Sequence, residues 1–223
     1  MNQIPGKEGA TVYFFDLDGT LLDSNGIWLE IDIAFLRRFG IDPVPTEYTD
    51  YVTHHTFHDA AVYTRDIFRL SLAPEEIISI WRDMARQAYR QELQLKPGAR
   101  EFLLRAHRAG IPCALLTSCM PELCQAALEH HRLTSLLSPV LTTAELALEK
   151  RDPALYRHVA RSLEQSPEHC VLFDDSPVYC QAARQAGWRV FGVADPAFAH
   201  RAGELSAICG PQGYPFFFDQ PLP

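Results

Sequence analysis

The chain has 223 residues, of which 47% are hydrophobic, so it is long enough for one large domain or two small ones with a sizeable core. Its formal net charge is −8 and no basic cluster occurs, which argues against nucleic acid or an anionic membrane surface as a partner. No apolar run reaches about 18 residues and the N-terminus contains no apolar signal core, so we expect a cytoplasmic protein without a membrane span. Six cysteines form no C-x-x-C pair, and we expect them to be reduced residues of the core.

The first predicted element is a buried strand over residues 12–15. This run is short, continuous and built from β-branched and aromatic residues, a pattern typical of a strand that is covered on both faces. Asp16 follows the strand directly, Asp18 lies two residues further, and Gly19 allows a sharp turn. Open α/β sheets bind their ligands at this end of a strand. Two acids at such a position are costly to bury unless a metal ion or hydrogen bonds compensate them.

The next segment, residues 24–95, contains no convincing strand. Its apolar spacing predicts a helix over residues 27–39 that ends at Gly40. Residues 47–70 and 74–92 are predicted to form two or three more helices, the last of which begins with a proline and two acids. We therefore expect an all-helical domain.

Strands and helices alternate from Lys96 onward. The predicted strands are residues 111–116, 139–141, 170–173 and 189–193. The predicted helices are residues 101–109, 121–131, 152–163 and 176–187. This alternation predicts an α/β fold with a mostly parallel sheet and helices on both faces.

The expected domain organisation follows from this change of pattern. Residues 1–23 and 96–210 form a core domain, which is interrupted by the helical domain of residues 24–95. Residues 211–223 form an irregular, proline-rich tail, whose three consecutive phenylalanines we expect to pack on the body of the protein.

Four polar stretches lie at or just beyond the ends of separate predicted strands. They are residues 16–20, 116–118, 150–153 and 173–176. In a parallel sheet these ends converge on one edge, where they supply carboxylates, a hydroxyl, backbone N–H groups and one lysine. Hard oxygen ligands suit Mg²⁺. The whole set suits a phosphoryl group, whose transfer depends on positioning and charge stabilisation.

These motifs resemble those of the haloacid dehalogenase-like (HAD) phosphohydrolases, in the phosphoglycolate phosphatase and β-phosphoglucomutase-like branch. The first motif is D-L-D-G-T at residues 16–20, and the second is Thr117 after an apolar strand. The third is Lys150 in K-R-D-P, where relatives usually read K-P-D-P, and the fourth is Asp174-Asp175. The resemblance covers nearly the whole chain apart from its first ten residues and the tail. It implies a Rossmann-like core with a helical cap inserted after the first motif.

The resemblance also implies roles for the acids. Asp16 would be the nucleophile that forms an aspartyl-phosphate. Asp18 would protonate the leaving oxygen and then activate water. Mg²⁺ would be bound by Asp16, the backbone carbonyl of Asp18 and Asp175, with Asp174 as a direct or water-mediated ligand.

Three further residues would bind the phosphate group in relatives of this kind. Thr117 and the Ser118 amide would hold phosphate oxygens, and Lys150 would neutralise charge on the phosphate and on Asp16. Each assignment has a structural alternative: Thr117 as a helix-capping hydroxyl, Lys150 as a solvated surface cation, and Asp174 as an acid that is only hydrogen-bonded beside the site.

Three sequence features favour a phosphatase of small metabolites within this family. Asp18 is present, whereas dehalogenases lack an acid two residues after the nucleophile. Residues 24–95 contain no lysine, so the Schiff base of phosphonoacetaldehyde hydrolases cannot form there. Sugar phosphomutases of the β-phosphoglucomutase type carry a histidine ten residues after the second aspartate, where this chain has Trp28. Such a mutase remains the alternative, and a non-catalytic binding protein is a third possibility.

The helical domain offers candidate residues for recognising the rest of the substrate. His54, His55 and His58 form a cluster, and Trp28 is a weaker candidate. The alternative is that the histidines belong to a polar helix start and that Trp28 packs in the interior. The identity of the phosphorylated substrate and the oligomeric state stay open at this level.

Overall fold

The computed structural model describes residues 11–54 and 57–223, and of residues 50, 53 and 54 only the backbone. Contacts divide the chain into two compact units. The core unit runs to Asn25 and resumes over Leu93–Pro223, and the helical unit is Gly26–Glu92. His55, one of the candidate residues, lies outside the described residues.

A single five-stranded sheet accounts for all the strands of the described residues. The strands are β1 (Val12–Phe15), β2 (Cys113–Thr117), β3 (Val140–Thr142), β4 (Cys170–Asp174) and β5 (Arg189–Gly192). They are parallel and lie in the order β3-β2-β1-β4-β5. The predicted α/β fold with a parallel sheet is confirmed, and each strand lies where the sequence pattern predicts one.

The helical unit consists of helices joined by short loops in its described part. They are α1 (Ile27–Arg37), α2 (Thr46–His54), α3 (Phe57–Phe68) and α4 (Pro74–Gln91). The capping-box contact of Glu76, whose carboxylate accepts from the backbone N–H of Ala73, fixes the start of α4. Across the described residues of the whole chain, no helix is both long enough and apolar enough to span a bilayer.

The helices of the core unit connect its strands. They are α5 (Ala99–Arg108), α6 (Pro121–His130), α7 (Thr143–Leu146), α8 (Pro153–Ser162), α9 (Pro177–Gln185) and α10 (Ala202–Cys209). Short 3₁₀ helices occupy Pro167–His169 and Pro196–Arg201. The sequence analysis predicts no element over residues 196–209. Helix α10 has only eight residues and contains Gly203, so its apolar pattern is too short to stand out.

The two faces of the sheet have different cores. Val12 and Phe14 of β1 pack with aliphatic residues and Trp188 in the layer that includes α8 and α9. Tyr13 and Phe15 point the other way, into an aromatic layer with Phe102 of α5. Side chains of a strand alternate between faces, so a strand buried on both faces needs an unbroken apolar run. All six cysteines are free thiols, and five of them are buried, as expected.

The C-terminal tail completes the aromatic layer. Phe216 lies 5.0 Å from Phe173, and Phe218 lies 5.4 Å from Phe102, measured between ring centroids. The backbone N–H of Phe216 donates to the carbonyl of Gly192 at 2.9 Å, which joins the tail to β5. Two of the three phenylalanines therefore pack on the body as expected, whereas Phe217 is 51% exposed.

We expect the Phe216→Ala variant to lose about 3–5 kcal/mol of the free energy of unfolding, because it leaves a cavity in the aromatic layer. Phe217→Ala is the matched control: the neighbouring ring is half exposed, and we expect a loss below about 1 kcal/mol. Urea titration followed by circular dichroism measures both. Equal losses would show that the tail does not stabilise the core through Phe216.

A half-buried acid, Asp32, links three helices of the helical unit. The Tyr48 hydroxyl lies 3.0 Å from Oγ1 of Thr64 and 3.4 Å from Oδ1 of Asp32. Burial raises the pKa of Asp32 to about 7, although the hydrogen bond from Tyr48 opposes the rise. Between pH about 4 and about 7 the folded state therefore holds a proton that the unfolded state has lost. The free energy of unfolding falls as the pH rises through this window.

The neutral variant Asp32→Asn should remove this part of the pH dependence. We expect it to be more stable than the wild type at pH 8, by up to about 4 kcal/mol, with a smaller difference at pH 5. Urea unfolding at the two pH values measures the effect. The control is Asp66→Asn, at an exposed acid of α3, and an equal gain in that variant would contradict the assignment to Asp32.

Candidate active site

The pairing of β1 with β4 brings the acids of the first and fourth motifs together. Phe15 is paired with Phe173, so the next residues, Asp16 and Asp174, lie at the same edge of the sheet. The backbone N–H of Asp16 donates to the carbonyl of Phe173 at 3.0 Å. Carboxylate oxygens of Asp16, Asp174 and Asp175 all lie within 4.8 Å of one another, and all three residues are buried. The sequence analysis predicts this convergence, and the structure contains it.

Lys150 lies between two of these carboxylates. Its Nζ is 2.6 Å from Oδ1 of Asp16 and 2.6 Å from Oδ2 of Asp174, and its side chain is fully buried. The loop that carries it is fixed at two points: Asp152 caps α8 through the backbone N–H of Ala154, and the Tyr156 hydroxyl donates to the Lys150 carbonyl. These contacts exclude the alternative of a solvated surface cation.

Arg151, the residue at which the third motif departs from its usual pattern, takes no part in these contacts. Arg151, which stands where relatives usually carry a proline, has a side chain that is 72% exposed and paired with Glu149. The substitution therefore leaves the Lys150 ammonium and its two carboxylates untouched.

The carboxylate group carries more negative charge than Lys150 balances. Burial, with the neighbouring Asp16, raises the pKa of Asp174 to about 8 and that of Asp175 to about 6. Burial would lower the pKa of Lys150, but the carboxylates of Asp16 and Asp174 raise it well above its ordinary value. The ammonium is thus held in its charged form, and the excess negative charge would be relieved by an additional cation.

The donor set fits a hard divalent cation. Three buried carboxylates supply only oxygen atoms, the donors that Mg²⁺ and Ca²⁺ prefer. Asp175 is oriented at both oxygens: Oδ1 accepts from the Thr20 hydroxyl at 3.1 Å, and Oδ2 accepts from the Asn25 amide at 2.7 Å. Asp174 is held at Oδ1 by the backbone N–H of Ser176.

Asp18 is not one of the three acids of the carboxylate group. Its side chain is half-buried, and Oδ1 accepts a hydrogen bond from the Ser24 hydroxyl at 2.7 Å. Oγ of Ser24 in turn accepts from the backbone N–H of Gly19 at 3.2 Å. The loop thus holds Asp18 in one orientation. The predicted ligand role of its backbone carbonyl stays a prediction.

The second motif follows β2. The oxygen of the buried Thr117 hydroxyl accepts from the backbone N–H of Cys119 at 3.0 Å, so it fixes the turn after the strand. Ser118 is exposed and lines a cavity of about 440 Å³ together with Lys150, Ser176 and Tyr179. The Tyr179 ring lies 4.7 Å from the Lys150 ammonium. The phosphate-binding roles of Thr117 and Ser118 stay predictions.

The substrate residues expected in the helical unit are only partly described. Trp28 packs edge-on against Phe57, with ring centroids 5.0 Å apart. His58 is exposed on α3, and for His54 only the backbone is described. Their proposed contacts with substrate stay predictions.

Sequence reasoning missed the residues that hold the acids in place. Thr20 and Asn25 orient Asp175, and Ser24 orients Asp18. All three follow Asp16 closely in the chain, and their short polar side chains were a usable signal. Their partners, however, depend on the path of the loop, which hydrophobic periodicity does not determine.

Gly19 provides the space for one of these contacts. Its φ is +76°, and a Cβ atom at this position would overlap both Nδ2 of Asn25 and Oδ2 of Asp175. We expect Gly19→Ala to lose more stability than Gly110→Ala, because Gly110 has a similar φ of +72° but no atom within 4 Å of the added Cβ. Left-handed strain alone costs about 1–2 kcal/mol. Urea unfolding compares the two, and equal losses would rule out the steric argument.

Comparisons with known proteins agree with this geometry. The family model described as haloacid dehalogenase-like hydrolase matches residues 13–193. The chain is 30% identical to a phosphatase of Mycobacterium tuberculosis over 80% of this chain and 85% of that relative. It is 28% identical to hexitol phosphatase A of Escherichia coli over 88% of each chain. The fold is shared with a HAD family hydrolase from Deinococcus radiodurans that was solved with bound phosphate and sodium. The TM-score is 0.68 and the sequence identity is 24%, and the match covers 91% of this chain and 89% of that one. The chain belongs to the haloacid dehalogenase-like hydrolase family, as the motifs indicate.

Proposed function

We propose that this protein is a Mg²⁺-dependent phosphatase that hydrolyses a phosphomonoester of a small metabolite through an aspartyl-phosphate on Asp16. The observation that carries the proposal is the buried Lys150 ammonium, which lies 2.6 Å from Asp16 within a group of three carboxylates. The two relatives named above are phosphatases, and one acts on hexitol phosphates by name. These names support a small phosphorylated metabolite as the substrate.

The carboxylate group is suited to hold Mg²⁺. Asp16, Asp175 and the backbone carbonyl of Asp18 would bind the ion, with Asp174 as a direct or water-mediated ligand. Bound there, Mg²⁺ would reduce the repulsion between an attacking carboxylate and a phosphate dianion. Because Asp174 is already engaged by Lys150 and by the Ser176 N–H, we favour the water-mediated role for it.

In the first step, an oxygen of Asp16 attacks phosphorus and the bond from phosphorus to the ester oxygen breaks. Asp18 gives its proton to that leaving oxygen, so the alcohol departs neutral. Lys150 stabilises charge on Asp16 and the phosphoryl oxygens, and Thr117 and the Ser118 amide donate to those oxygens. The group left on Asp16 is an acyl phosphate.

In the second step, Asp18 is a carboxylate and accepts a proton from water. The water oxygen attacks phosphorus, the bond between Asp16 and phosphorus breaks, and inorganic phosphate leaves. Asp18 is again protonated and Asp16 is again a carboxylate, so both residues are restored. A phosphomutase would differ here, because a sugar hydroxyl instead of water would accept the phosphoryl group.

The variant Asp16→Asn tests the proposal. Hydrolysis of p-nitrophenyl phosphate with MgCl₂ should fall by at least about 1,000-fold, because an amide cannot act as the nucleophile. The wild type should also lose its activity in EDTA. Asp83→Asn, at an exposed acid of α4, is the control for the same change of charge, and we expect it to keep full activity.

Three results would contradict the proposal. Retained turnover in Asp16→Asn would remove Asp16 as nucleophile, and full activity in EDTA would remove the metal requirement. Isomerisation of a sugar phosphate that depends on glucose-1,6-bisphosphate, without net release of phosphate, would identify the mutase instead. A panel of phosphorylated metabolites ranked by kcat/KM would then define the substrate.

A further inference from the structure

Asn25 contacts a carboxylate of the site and has no role in the proposed reaction. Its Nδ2 donates to Oδ2 of Asp175 at 2.7 Å. The Thr20 hydroxyl donates to Oδ1 of the same carboxylate at 3.1 Å, and the backbone N–H of Asp175 donates to Oγ1 of Thr20.

A buried ion pair fixes the segment around Lys96. The Lys96 ammonium contacts Oδ2 of Asp195, and the two side chains are 10% and 2% exposed. Lys96 also donates to the carbonyl of Ala194 at 3.0 Å, and Oδ1 of Asp195 accepts from the backbone N–H of Ala197 at 2.8 Å.

The backbone holds the residues that carry these side chains. Asn25 is the last residue of the first core segment, and Lys96 lies just after the chain returns to the core unit at Leu93. The two segments run side by side: the N–H of Lys96 donates to the carbonyl of Leu21 at 2.8 Å, and the N–H of Asp23 donates to the carbonyl of Gln94 at 3.0 Å. Gly19 leaves the space in which the bond between Asn25 and Asp175 forms.

We propose that Asn25 is a positioning residue that orients Asp175 for binding a divalent cation. This inference rests on the proposed function, which makes Asp175 a metal ligand. Thr20 holds one oxygen of Asp175 and Asn25 holds the other, so the carboxylate cannot rotate. A ligand that is fixed before binding loses less conformational freedom when the cation arrives.

The affinity for Mg²⁺ itself tests this role without reference to turnover. Isothermal titration of the full chain with MgCl₂ should give a Kd that is about 10- to 100-fold higher in Asn25→Ala than in the wild type.

Controls separate positioning from general damage to the fold. Val159→Ala removes a buried methyl pair from the aliphatic layer and should lower the melting temperature without changing the Kd for Mg²⁺. Val159→Ala and Asn25→Ala variants with equal changes in Kd would overturn the inference.

The remaining outcomes distinguish this inference from the proposed function. An unchanged Kd in Asn25→Ala, with weaker binding in Asp175→Asn, would overturn the positioning role alone. A wild type that does not bind Mg²⁺ would overturn both the metal site and the inference.

Discussion

The contacts of the buried Lys150 ammonium with Asp16 and Asp174 are the interaction on which the site depends. A buried cation without partners is strongly destabilising, and clustered carboxylates without a cation repel one another. The ammonium therefore requires the carboxylates, and the carboxylates require the ammonium. The contacts form only because β1 and β4 are paired in a register that places their terminal acids together. Excess negative charge remains after pairing, which is a cost to folding that is characteristic of functional sites.

The sheet supplies the rigidity that this arrangement needs. β1 lies at the centre of the sheet, between β2 and β4, and both of its faces are covered. On one face the cover is largely aliphatic, and on the other it is aromatic and includes two phenylalanines of the tail. Neighbouring strands hold β1 at both edges and packed side chains cover both of its faces, so its C-terminal end cannot shift. The position of Asp16 is therefore determined by packing remote from the site.

The sequence predicted the parts of this structure that are local or periodic. Apolar runs gave the strands, and the acids at their ends gave the carboxylate group around Asp16. It did not predict α10, whose pattern is short and interrupted, nor the contacts of Thr20 and Asn25 with Asp175. Those contacts join residues that are distant in the chain and meet only after the loops have taken their final path. Thr117 illustrates the same limit: its hydroxyl oxygen fixes a turn, which its position after a strand did not reveal.

The central place of β1 also affects how the chain assembles. Among the described strands it is the first in chain order, yet its neighbours β2 and β4 begin only at Cys113 and Cys170. The helical unit is continuous in sequence and is made in between. Both edges of β1 thus stay open while most of the protein is translated, and an open apolar edge favours pairing with foreign strands. The interval before β4 emerges is the stage at which a nascent chain of this architecture is most exposed to misassembly.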